Sequence, residues 1–172
     1  MKLLSIFVAL LFPAILFAQP TGDVLVTTSS FGKVSRNTTF NELKKLYGAA
    51  NCKDDIEYGP EGIDSFNVTR VYAGSSKEFI VFWEKKKFHK LVQAVECYAR
   101  SAPYQTADGL KIGTTLDKLL KANGKKINFY GTGWDYGGMI TSFNKGKYDG
   151  STINFELSDR PGMSQKLMGD RE

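Results

Sequence analysis

The chain has 172 residues, 42% apolar and 24% charged, with 17 Gly, 5 Pro, 2 Cys, a single His and a net charge of +5. These figures suit one ordinary globular domain, or two small units that share a core. They exclude a disordered tail, a collagen-like fibre and a cysteine-dense miniprotein.

Residues 1–18 read as a secretory signal. Lys2 supplies the positive start, residues 3–12 are apolar except for Ser5, Pro13 breaks the run, and Ala18-Gln19 offers a cleavage point. The run is too short to span a bilayer comfortably, no later segment is apolar enough to cross one, and no Cys follows the cut to carry a lipid. A periplasmic or secreted location is therefore expected. Losing Lys2 lowers the net charge from +5 to +4. The remaining excess is spread over Lys44-Lys45, Lys85-Lys86-Lys87 and Lys125-Lys126, each near a turn. A nucleic-acid binder concentrates charge on one face, so no such partner is expected. In an oxidising compartment, Cys52 and Cys97 are expected to form a disulfide.

In chain order, Val24-Leu25-Val26 predicts a short strand, and residues 38–48 predict a helix. Thr39 with Glu42 has capping-box spacing, Phe40, Leu43, Leu46 and Tyr47 recur at helical intervals, and Gly48 stops the run. Phe66, Val68 and Tyr72 alternate along a strand interrupted by Arg70. Residues 79–83 are continuously apolar and predict a central strand, and Leu91, Val95 and Cys97 share one face of another. The turn at residues 73–76 and the linker at 101–108 follow from their small and polar composition. A second helix over residues 114–124 has Leu116, Leu119 and Leu120 on one face and Gly124 at its end, with Thr114 and Asp117 at capping-box spacing. Ile153, Phe155 and Leu157 alternate with Thr152, Asn154 and Glu156 as a half-buried strand.

The two helices are written alike. TTFNELKKLYG at 38–48 and TTLDKLLKANG at 114–124 agree at five of eleven positions without a gap. The likeness continues from residues 56–64 to 127–135, with the offset falling from 76 to 71 because the first copy carries five extra residues. The expected architecture is α+β by tandem duplication. Each repeat is a short helix followed by antiparallel strands, and the two form one continuous sheet. The expected divisions are a signal at 1–18, a first repeat at 19–100, a second at 101–159 and a polar tail at 160–172.

Residues 103–138, PYQTADGLKIGTTLDKLLKANGKKINFYGTGWDYGG, carry Asp108-Gly109, Ile112-Gly113-Thr114, Asn123-Gly124 and a closing Gly133-Trp134-Asp135-Tyr136-Gly137-Gly138. This run resembles an uncharacterised family of small secreted bacterial proteins, departing from its pattern at Thr132, where an aromatic is more usual. That family has no activity to lend, so the resemblance implies no catalytic residues. More distantly, a twice-written helix and antiparallel sheet resembles the β-lactamase-inhibitor-protein architecture, whose single-copy relative is a small outer-membrane assembly lipoprotein. That likeness is one of architecture alone.

Little catalytic chemistry is visible. His89 is the sole histidine and has no nucleophile that sequence places beside it, so it reads as an exposed residue at a strand end. One His and two separated Cys do not make a zinc site, and no phosphate or dinucleotide loop is present, so no metal or cofactor is expected. Asp64 and Asp135 occupy equivalent repeat positions and could face each other as a carboxylate pair, although equivalent turn aspartates more often cap backbone N–H groups. The cluster of Tyr130, Trp134, Asp135 and Tyr136 among four glycines reads either as a packed turn or as a presented aromatic patch. The resulting expectation is a non-catalytic secreted binding module for an envelope or extracellular protein, inhibitors included. Its contact surface would be the concave sheet face, anchored by Trp134 and Tyr136, with a cell-wall glycan as a further candidate ligand. A carboxylate-dependent envelope hydrolase and a structural envelope-assembly component are the alternatives.

Overall fold

A row of alternating apolar residues has one stable resting place, a sheet face that another element covers. That principle organises the computed structural model, which describes residues 22–59, 62–134 and 136–158. The expected signal at 1–18 and tail at 160–172 lie outside the described residues.

Strands β1 (Leu25–Val26), β2 (Ser30–Phe31) and β3 (Val34–Ser35) form a small antiparallel hairpin stack. Helix α1 (Phe40–Tyr47) follows. Four strands then make an antiparallel meander: β4 (Cys52–Tyr58), β5 (Ser65–Val71), β6 (Phe79–Trp83) and β7 (Val92–Glu96). β8 (Gln105–Thr106) returns to lie parallel to β1. Helix α2 (Leu116–Asn123) leads into a two-stranded ribbon of β9 (Asn128–Phe129) and β10 (Ile140–Ser142).

The structure is α+β, as expected, but its strands fall into three separate sheets rather than one. β9 and β10 run only two and three residues on either side of the glycine-rich turn, leaving few backbone groups with which to extend a ladder. The segment from Ile153 to Leu157 is likewise not a paired strand. It alternates half-buried Ile153, Phe155 and Leu157 with exposed neighbours, yet its only bridge joins Glu156 to Met139. The apolar period marks the buried side, but among the described residues no partner strand lies alongside.

Both helices begin on threonine. Thr39 caps α1 through a reciprocal bond with Glu42, whose carboxylate accepts the Thr39 N–H at 2.8 Å. In the second helix the cap is Thr115, not Thr114: Thr115 accepts from the Lys118 N–H, while Thr114 closes the preceding turn by accepting from Lys111 N at 2.9 Å. Thr38 does the same for Ser35 at 2.9 Å. The two helix starts are therefore alike in cap and preceding turn, with Thr115 rather than the expected Thr114 standing where Thr39 stands.

The inner face of the meander carries Cys52, Val71, Phe79, Val81, Trp83 and Val92, and α1 closes over it with Leu43 fully buried. Phe79 is the centre. Its ring meets Phe31 at 5.3 Å, Tyr47 at 5.1 Å and Tyr104 at 5.6 Å, so the hairpin, the helix and the linker all converge on one side chain. Tyr104 also donates its hydroxyl to the Lys77 carbonyl at 2.9 Å, fastening the linker to the sheet. Burying a ring of this kind contributes about 2–3 kcal/mol. A second cluster of Leu110, Leu119, Phe143 and Tyr148 holds α2 to the ribbon and to the extended tail segment.

On the outer face, Arg70 holds three carboxylates at once. Its Nε donates to Asp55 at 2.6 Å, its Nη1 to Glu78 at 3.0 Å and its Nη2 to Glu57. The guanidinium keeps the Asp55 carboxyl below its usual range. Arg70 thus shares the outer face with Phe66 and Val68, whereas Tyr72 lies beyond β5 with φ +57° and packs against the inner-face core, its ring 6.0 Å from that of Tyr47.

Cys52 and Cys97 are free thiols, contrary to the expected disulfide. The register explains why. Cys52 is opposite Val71, Val71 is opposite Phe79, and Cys97 lies one residue beyond the Glu96–Ile80 pair, so the two cysteines sit at opposite ends of one row across four strands. Three inter-strand spacings separate them by about 14 Å, whereas a disulfide needs Cα atoms about 4.4–6.8 Å apart. Burial raises both thiol pKa values, and the Cys97 thiol donates to the Glu78 carbonyl at 3.2 Å. Denatured in guanidinium without reductant, the chain should titrate two thiols with Ellman's reagent; a value near zero would place the cysteines in a bond that this register forbids.

In the second half, Asn123 is the buried polar keystone. Its amide donates to the Lys125 and Phe143 carbonyls, both at 3.0 Å, and its oxygen accepts from Tyr148 N at 3.2 Å. Gly146 lies so close that any Cβ there would overlap the Asn123 amide. Asn123→Ala leaves these groups unpaired and should cost about 3 kcal/mol, read as a lower urea midpoint with an unchanged slope.

Candidate functional site

The glycine-rich turn between β9 and β10 brings Tyr130, Trp134 and Tyr136 together. Trp134 is central, with ring centroids 5.6 Å from Tyr130 and 5.3 Å from Tyr136, both in edge contacts. Its indole N–H donates to the Gly131 carbonyl at 2.7 Å, so that polar edge is used internally. Tyr136 is 46% exposed and Met139, three residues on, is 44% exposed. Asp135 lies outside the described residues.

Backbone pairing shapes this turn. Tyr130 N donates to Met139 O and Gly138 N donates to Tyr130 O, both at 2.9 Å, while Gly137 N donates to Trp134 O at 2.8 Å. Leu157 N then bonds Gly138 O at 2.9 Å, anchoring the turn to the extended segment over the second core. Gly138 has φ +84°, and a Cβ there would overlap the Leu157 carbonyl oxygen. The turn and the four-stranded meander belong to different sheets, so the aromatic cluster is not mounted on the sheet face that the sequence suggested. Gly138→Ala should therefore separate the turn from Leu157. The expected result is loss of the near-ultraviolet circular dichroism of Trp134, with the far-ultraviolet spectrum retained.

Sequence reasoning overlooked a second constellation. His89 is not an exposed strand-end residue; its side chain is 27% exposed and lies between two rings, Phe40 at 4.0 Å and Phe88 at 3.7 Å. Its Nε2 is 3.0 Å from Asp54 Oδ1. That same oxygen accepts the Thr69 hydroxyl at 2.8 Å, and Thr69 in turn accepts the buried Trp83 indole N–H at 2.9 Å. A carboxylate oxygen can only accept, so Nε2 carries the proton, and in the neutral ring Nδ1 is the lone-pair position. No hydroxyl or thiol among the described residues bonds Nδ1. The arrangement can accept a proton but lacks a nucleophile beside it.

The His89 backbone is committed as well. Its carbonyl accepts the Phe40 N–H at 2.9 Å, satisfying the first donor of α1, and its φ of +62° is a left-handed value unusual outside glycine. His89 thus clamps the start of α1 to the turn between β6 and β7. Sequence offered no signal for this node beyond a lone histidine beside an aromatic, because Asp54, Thr69 and Trp83 converge only through the register of three strands.

Of the expected carboxylate pair, Asp135 lies outside the described residues. Asp64 is exposed, and its carbonyl accepts the Gly59 N–H at 2.9 Å at the turn end of the β4–β5 hairpin. An open groove of about 400 Å³ beside β3 and α1 is lined by Lys33, Ser35, Asn37, Thr38, Glu42, Lys45 and Leu46, and shares no residue with the aromatic turn or the His89 node. Among the described residues no group of three or more His, Cys, Asp or Glu side chains could hold a metal ion, and no helix is long and apolar enough to cross a membrane. No family model, curated protein or solved structure matches the chain.

Proposed function

We propose that this chain is a secreted, duplicated, non-catalytic binding module that engages an envelope or extracellular protein through the aromatic turn. The observation that carries this reading is the cluster of three rings around Trp134, built on a turn locked by its own backbone bonds and ending in the exposed pair Tyr136 and Met139. Trp and Tyr are enriched among residues that dominate binding energy, and a rigid mount reduces the entropy lost on association. Two helices with equivalent caps and equivalent preceding turns support duplication.

Affinity capture tests the reading. Protein beginning at Gln19 would be immobilised, exposed to an envelope extract, and compared with a folded Trp134→Ala/Tyr136→Ala variant. One protein should be retained by the wild type and bound at least about tenfold more weakly by the variant. Equal retention by both would remove the turn from the interface. Retention of purified cell-wall glycan in place of protein would change the ligand class.

A further inference from the structure

We propose that the free edge of β4 is a docking strand for an extended, Lys- or Arg-rich segment of another protein, which joins the meander as a fifth strand. This surface is separate from the aromatic turn and does not rest on it.

The backbone register identifies the edge. Tyr72 N donates to Asn51 O and Gly59 N receives its partner in Asp64 O, each at 2.9 Å, so the ladder is closed at both ends of the hairpin. Antiparallel alternation then turns the odd-numbered residues of β4 toward β5 and directs the N–H and C=O groups of Cys52, Asp54, Ile56 and Tyr58 outward. Cys52 N is used by Ala49 O, and Ile56 N is held at 2.9 Å by the neighbouring Asp55 carboxylate. The outward amides of Asp54 and Tyr58 bond no protein group among the described residues. The opposite edge is different: Val92 of β7 already donates to Arg36 O at 2.8 Å.

Proteins blunt such an edge with a bulge, a proline, a short strand or charged side chains. β4 has no bulge or proline, its seven residues pair in unbroken register, and charge is the one such device it carries. Its exposed end instead carries Ile56 and Tyr58 on one face, 49% and 67% exposed, where alternate side chains of an incoming strand would rest.

Charge selects the occupant. β4 bears Asp54, Asp55 and Glu57 against Lys53, and Arg70 is already shared among Asp55, Glu57 and Glu78, so this corner is acidic on a chain whose net charge is +5. A second copy fits less well than a basic strand. In every antiparallel register that aligns the outward groups over five or more residues of β4, a carboxylate falls opposite a carboxylate: Asp54 on Asp54, Asp55 on Asp55, or Asp55 on Glu57. The first two registers set Lys53 opposite Asp55 or Glu57 in return, and the third offers no such pair. A basic strand replaces those repulsions with cross-strand pairs, and its carbonyl would displace Asp55 from the Ile56 amide.

The test uses the full described chain labelled with nitrogen-15 and two acetylated peptides, one alternating Lys with Val and the other alternating Glu with Val. The Lys–Val peptide should shift the amides of residues 54–58, with the Glu–Val peptide bound at least about tenfold more weakly. Ile56→Pro removes only an outward N–H and should abolish the response while leaving the β4–β5 ladder intact. Ile56→Lys provides the same check by charge if the proline variant does not fold. The Trp134→Ala chain should bind the peptide as wild type does, which keeps this outcome distinct from that of the aromatic turn. Absence of β4 shifts, equal affinity for both peptides, or β4 shifts that follow protein concentration without peptide would each overturn the proposal, the last in favour of a second copy.

Discussion

Everything in the first half depends on covering Phe79. The meander supplies one apolar row, Cys52 to Val71 to Phe79 to Cys97, and that row is too wide for a single eight-residue helix to roof. The N-terminal hairpin brings Phe31, the helix brings Tyr47 and the linker brings Tyr104, so three distant parts of the chain meet over one ring. The small size of the hairpin sheet follows from this arrangement, because its task is to present Phe31 and Val34 rather than to extend a ladder. The outer face has the opposite character. There Arg70 of β5 gathers Asp55 and Glu57 of β4 and Glu78 of the turn before β6, tying three parts of the meander through one guanidinium.

Local chemistry was legible in the sequence, while long-range register was not. The helices announced themselves through threonine caps, apolar spacing and terminal glycines, and the central strand through its unbroken apolar run. These signals depend only on neighbours within a turn or two. The disulfide expectation failed because pairing two cysteines needs their rows and strand order, and strand order placed them at the two ends of the sheet. The single continuous sheet failed for a related reason: the two helix segments read alike in the sequence, but the strands that follow each pair according to their own length and turns. Ile153, Phe155 and Leu157 show the limit most plainly, since their alternation records which side is buried but not whether a partner strand runs alongside.

The candidate site divides in the same way. The aromatic turn was readable because Tyr130, Trp134 and Tyr136 are near in sequence and the glycines mark a turn. The His89 node was not, since Asp54 lies 35 residues from the histidine and reaches it only after β4, β5 and β6 have aligned. Its hydrogen-bond chain runs from a buried indole to a half-exposed imidazole, with each group both satisfied and oriented by the last. Networks of this kind specify a unique arrangement more than they add stability, and here the specified element is the start of α1.

The parallel pairing of β1 with β8 has a consequence for how the chain acquires its shape. Leu25 meets Gln105, eighty residues later, and the Thr152 hydroxyl bonds the Thr28 carbonyl across 124 residues. A chain emerging in order pairs β1 with β2 at once but leaves its other edge open until β8 exists, and closing so large a loop carries an entropic cost that local helices do not face. The meander and α1 can form early because their contacts are nearby, while the outer edge of the first strand waits for β8, beyond the midpoint of the polypeptide. Truncation there would therefore be felt at the beginning of the chain, far from the cut.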